Sequence, residues 1–153
     1  MKLAEALAER ADAMRRVEQL RSRIVSNARY QEGEAPAEDA AQLLIEVGQV
    51  LDRLEVLIAR INRTNSTVAL GTMTLTEALA RRDVLRLRHS VLTAAADSAG
   101  RDRSNARQLR SELKMLSALS VAQLRRQADG VARELRDLDV QIQRVNWEAD
   151  LRD

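Results

Sequence analysis

The chain has no cysteine and no phenylalanine, and it has a single proline, tryptophan, tyrosine and histidine. Without cysteine there can be no disulfide, no thiolate metal site and no cysteine nucleophile. Aromatic residues are 1% of the sequence, whereas Ala, Leu, Arg, Glu and Asp dominate. That composition suits helices packed through aliphatic seams rather than a sheet. No apolar run approaches the roughly 18 residues of a membrane span. Glutamates also interrupt "MKLAEALAER" where a signal peptide needs an unbroken apolar stretch, so a soluble, cytoplasmic protein is expected.

The same scarcity bears on catalysis. A carboxylate di-metal bundle needs Glu-x-x-His pairs, but His89 has Arg86 three residues before it. There is no G-x-S-x-G, and one histidine without an orienting partner does not make a triad. Gly33, Gly48, Gly71, Gly100 and Gly130 are too scattered for a phosphate loop. The sequence therefore predicts no enzyme, no cofactor, no metal site and no small-molecule substrate.

What the chain does have is helical periodicity. Its 153 residues fit one domain, 1–153. The expected fold is all-α, an antiparallel four-helix bundle of helical hairpins, with helices over about 2–29, 38–62, 75–97 and 120–146. In the first helix, Leu3, Leu7, Met14, Val17, Ile24 and Ala28 form a stripe interrupted by Arg10 and Arg21. In the second, Ala40, Leu44, Val47, Leu51, Leu54, Ile58 and Ile61 alternate by four and three, and Leu43, Val50 and Leu57 widen the seam. Gly33 and Pro36 mark the turn between these two helices, and Glu38 and Asp39 suit the first turn of the second.

"TLTE" at 74–77 has the spacing of a capping box and starts the third helix. A long crossover follows over 98–120. Clean heptads then resume at Val121, Leu124, Ala128, Val131, Leu135, Leu138, Ile142 and Val145.

The two halves echo each other. "LAEALAER" (3–10) and "LTEALARR" (75–82) share six of eight positions, and "LDRLEVLIARIN" (51–62) and "LRDLDVQIQRVN" (135–146) share six of twelve. An internal duplication and a convergence of similar heptads both account for this. In either case Asn62 and Asn146 follow a last seam residue, where asparagine can end a helix in the left-handed conformation. An up-down-up-down bundle would gather Arg60, Asn62, Asn65, Asn146 and Trp147 at one polar pole, a candidate ligand or subunit contact that mutual capping also explains.

Two further candidates come from the crossover. Leu109, Leu113, Met115, Leu116 and Leu119 must be covered somewhere, which makes them a candidate oligomer contact. Arg101, Arg103, Arg107 and Arg110 belong to a basic stretch, 81–126, that could meet an anion or an acidic partner. No aromatic residue lies there to stack on a base, so nucleic acid is disfavoured.

Taken together, "MKLAEALAERADAMRRVEQLRSRI", "NARYQEGEAPAED", "LIARINRTN", "LTEALARRDVLRLR" and "QIQRVNW" resemble a family of small bacterial helical proteins labelled septicolysin-like. The resemblance covers almost the whole chain and implies a compact helical fold and a homo-oligomer. It brings no catalytic or binding residue, and its label implies cytolysis. The residues themselves favour a non-enzymatic protein whose partner is a second copy of itself. Membrane activity is the first alternative, and weak nucleic-acid binding through 81–126 the second.

Overall fold

The computed structural model describes residues 1–101 and 113–153. It is all-α in character, with four long helices and one very short hairpin. Helix α1 spans Leu3–Asn27 and α2 Ala40–Thr67. Strands β1 (Ala69–Leu70) and β2 (Met73–Thr74) pair antiparallel, with Ala69 opposite Thr74. Helix α3 spans Leu75–Ala99 and α4 Val121–Glu148. The chain divides into two compact units, Met1–Thr76 with Gln143–Asp153, and Glu77–Ile142.

In the first unit α1 and α2 form an antiparallel hairpin. Arg16 pairs with Glu46, and Arg23 with Glu38 through Nε to Oε2 at 3.0 Å, so position rises along one helix as it falls along the other. The connection is pinned at both ends. The Asn27 carboxamide oxygen accepts the Glu38 amide at 2.9 Å, and Asp39 Oδ1 accepts the amides of Ala41 and Gln42 at 2.9 and 3.3 Å. Asp39 is thus the N-cap of α2, with its carboxylate on amides that would otherwise lack partners. In the second unit Arg86 pairs with Asp139 midway along α3 and Asp97 with Arg125 near its end, which sets α3 and α4 antiparallel as well.

The register of the α2 seam differs from the expected one. Leu43, Leu57, Ile61 and Thr64 are buried, whereas Leu44, Leu51 and Ile58 are 56, 46 and 36% exposed. The residues that appeared to widen the seam are its centre. Val47, Leu54 and Ile61 of the expected seam stay on the inner side, so at 100° per residue its centre moves by about 60°.

The end of α2 also differs. Asn62 does not stop it: the helix runs on to Thr67, and Val68 turns to extended backbone with its amide bonded to the Thr64 carbonyl at 2.9 Å. The hairpin then reverses the chain through Gly71, whose φ is +61°, and the Leu75 amide closes it on the Val68 carbonyl at 2.8 Å. The echoed asparagines do not share an environment, because Asn62 is exposed and Asn146 buried.

Two glycine substitutions should move stability in opposite directions. Gly71 holds a backbone conformation that costs a side-chain-bearing residue about 1–2 kcal/mol, so Gly71→Ala should lower the urea midpoint. Gly130 is an exposed residue inside α4 with open space where a Cβ would stand, so Gly130→Ala should raise stability by about 0.5–1 kcal/mol. Equal shifts of one sign in both variants would contradict this account.

Candidate functional site

Two features of the first unit stand out. The first is a polar clasp around the 149–153 segment. The Glu5 carboxylate accepts the Lys2 amide at 2.6 Å, which caps α1. Lys2 forms an antiparallel bridge with Asp150, supported by Leu3 N–H to Ala149 O and Leu151 N–H to Met1 O, each 2.9 Å. The Lys2 ammonium lies 2.7 Å from Asp150 Oδ1 and donates to the Glu148 carbonyl at 3.0 Å. This neighbour holds the Asp150 carboxyl below its ordinary range, chiefly through the hydrogen bond.

Helix α2 closes the clasp from its C-terminal end. The buried Thr64 hydroxyl donates to the Arg60 carbonyl at 2.8 Å and accepts the Arg152 amide at 2.9 Å. The Arg60 guanidinium donates to the Arg152 carbonyl at 3.3 Å and meets Asp153 Oδ1 at 2.5 Å.

Of the expected polar pole, Arg60 is therefore in the clasp. Asn62, two residues from both Arg60 and Thr64, projects about 200° away around α2 and is exposed. Asn65 is half-buried, Asn146 buried and Trp147 63% exposed. Thr64 was missed because a threonine in a helix has no sequence signature for accepting an amide from a distant segment. The clasp ties the 149–153 segment to the start of α1 and the end of α2 through side-chain and backbone bonds together.

The second feature is apolar. On α2 the exposed Leu44, Leu51 and Ile58 recur every seven residues, and Ile45 and Val56 are exposed farther round the helix at 56 and 60%. Beside the stripe, Leu54 with Met14 and Val17 of α1 lines an open hollow of about 530 Å³. Helix α2 thus has an apolar arc that extends past its buried line and is left uncovered among the described residues, with Gln42, Gln49, Asp52, Arg53 and Arg63 on its polar side.

The crossover candidates lie elsewhere. Leu113, Met115, Leu116 and Leu119 are 81, 75, 84 and 52% exposed on a stretch without helix. Met115, Leu116 and Leu119 join Ala95, Ala99 and the exposed Arg101 around a shallow hollow of about 370 Å³. Leu109, Arg103, Arg107 and Arg110 lie outside the described residues. His89 is half-buried on α3. Among the described residues no group of three or more His, Asp or Glu is placed to hold a metal ion, and no helix is long and apolar enough to cross a membrane.

A family model described as a family of unknown function (DUF6847) matches residues 10–151. The chain is also similar to a solved structure, a functionally unknown conserved protein from Corynebacterium diphtheriae. The identity is 38% over 99% of each chain, and the TM-score is 0.93. No curated protein matches. These findings correct the resemblance drawn from the sequence: nothing in them points to septicolysin-like proteins, and both matches carry unknown function. The quoted strings were shared helix-forming composition, which is weak ground for a family.

The clasp and the interhelical pairs carry a pH dependence. Asp150 and Glu38, the latter hydrogen-bonded to Arg23, both have lowered pKa values in the fold. Their contribution is present above the ordinary carboxylate pKa and is lost as pH falls through the lowered folded value. Thermal midpoints measured from pH 7 to pH 2 should fall at the acid end, and fall less in Asp150→Asn and Glu38→Gln. An unchanged acid slope in both variants would show that other carboxylates set it.

Proposed function

Because the chain belongs to DUF6847, a family of unknown function, no activity comes with its kinship, and we propose that it is a non-enzymatic helical scaffold that acts by self-association. The carrying observation is the α2 stripe. An apolar arc wider than one neighbouring helix can cover calls for a further partner, while Gln42, Gln49, Asp52, Arg53 and Arg63 keep the far side of α2 in water. Here the inner arc, centred on Leu43, Leu57 and Ile61, is buried against the chain itself, while Leu44, Leu51 and Ile58 stay at the surface.

A second copy laid against this stripe supplies what the hairpin lacks. Two helices make one layer, and a stable helical domain covers its apolar face with another layer. The twofold arrangement needs no foreign partner, since the same stripe serves on both sides of an isologous contact. Leu44 and Ile58 flank Leu51 symmetrically, so an antiparallel crossing at Leu51 would meet equivalent residues in both directions.

The non-enzymatic part of the reading is supported by what surrounds the polar residues. The clasp engages the Thr64 hydroxyl, the Arg60 guanidinium and the Lys2 ammonium with the 149–153 segment of the same unit, a holding role rather than a chemical one.

Light scattering coupled to gel filtration at micromolar concentration should give a mass above the 17.1 kDa of one chain. Leu51→Glu combined with Ile58→Glu should reduce it. Losing one buried aliphatic side chain costs about 1.5–3 kcal/mol, which corresponds to a dissociation constant weakened on the order of 10–100-fold per position. A monodisperse 17.1 kDa species for the unaltered protein would overturn the proposal.

A further inference from the structure

Helix α3 carries apolar residues on two opposite faces. Ala78, Leu85 and Ala96 are buried, and the half-buried Leu92 lies on the same side. Half a turn away, Ala80, Val84, Leu87, Val91, Ala94 and Ser98 are all exposed, with Val84, Leu87 and Val91 at 54, 67 and 67%. Their spacing is four, three, four, three and four, the a/d seam of a two-stranded coiled coil rather than the broad stripe of a bundle helix. Val84, Val91 and Ser98 fall at a, and Ala80, Leu87 and Ala94 at d.

We propose that this outer seam of α3 pairs in parallel with the same seam of a second copy. This goes beyond the self-association read from α2, since it uses another helix in the other compact unit and adds an orientation. Two observations fix the occupant. At the centre of the seam Val84 and Val91 at a flank Leu87 at d, and a β-branched residue at a with leucine at d is the combination that favours two parallel strands.

The flanking charges are also complementary to themselves in that orientation. Asp83 occupies the g position and Arg88 the following e position. In a parallel pair, g of one strand meets e of the next heptad on the other, so Asp83 faces Arg88 twice, once on each side of the seam. In an antiparallel pair g meets g and e meets e, which sets like charges opposite. Arg88 is available for this contact, being exposed with no carboxylate within 4.0 Å among the described residues, and Asp83 is held only by Arg82 at 3.4 Å and Arg86 at 3.9 Å.

The absence of cysteine makes a direct test available, because one introduced thiol is the only one in the chain. Ala80→Cys, Leu87→Cys and Ala94→Cys, prepared separately in the full chain, place a thiol on exposed seam positions. Parallel pairing brings like positions within disulfide range, Cα atoms about 4.4–6.8 Å apart. Mild oxidation should then give a covalent dimer on a non-reducing gel with each variant alone.

Adding Asp83→Arg to Leu87→Cys should cut the linked fraction several-fold, and adding Arg88→Asp as well should restore it. Linking only in mixtures of Ala80→Cys with Ala94→Cys would overturn the parallel orientation. If nothing links while the mass stays above one chain, the α3 pairing is wrong and the α2 reading stands. If nothing links and the mass is that of one chain, both fall. Far-UV circular dichroism of each variant identifies any that has lost its helices.

Discussion

Two antiparallel helices can bury only the arc that each turns to the other, and the rest of this protein follows from that constraint. The hairpin of α1 and α2 spends its largest buried side chains there, Leu20 and Ile61 among them. Everything outside the arc faces water unless another element covers it. The clasp of Lys2, Thr64 and the 149–153 segment covers one end, closing the hairpin where Leu3 and Thr64 are fully buried. The outward sides of α2 have no such cover among the described residues.

Ion pairs add registration more than energy. Most of the bridges between helices join side chains that remain substantially exposed, where solvent screens them and side-chain entropy offsets the attraction. Their positions nonetheless agree. Arg16 with Glu46 and Arg23 with Glu38 demand nearly the same antiparallel alignment of α1 and α2, and Arg86 with Asp139 and Asp97 with Arg125 do so for α3 and α4. Sliding α1 against α2 by a turn would strain both of their pairs at once. Aliphatic seams of similar spacing tolerate such slips, so specific charge pairs are what tells one alignment from the next.

How far the sequence could be read depends on the range of the interactions involved. Helix existence is local: propensity and periodicity placed all four helices, and the Thr74 to Glu77 spacing placed the start of α3 at Leu75. Which apolar line of α2 faces inward is not local. Leu43, Val50 and Leu57 run beside Leu44, Leu51 and Ile58, equally apolar and one residue away, and only the partner helix decides between them. The end of α2 was misread for a related reason. Asn62 carries a stop signal, but Thr64 and Thr67 return their hydroxyls to carbonyls of the preceding turn and the helix continues until the β-hairpin takes over. The clasp rests on contacts across 88 and more positions, Thr64 with Arg152 and Lys2 with Asp150, which no window of sequence contains.

Exposed aliphatic residues are ordinary on protein surfaces when they are scattered. Here they are neither scattered nor shared equally. Along its described length α4 exposes only Val140 and Trp147 among its large apolar residues, and its outward positions are filled by Arg126, Asp129, Arg133 and Arg136. Helices α2 and α3 are of the same kind and similar length, yet they expose Leu44, Ile45, Leu51, Val56 and Ile58, and Val84, Leu87 and Val91. Composition bias would act on all helices alike. A difference between helices, with heptad spacing on the two that are apolar outside, is the observation on which the proposed contacts rest.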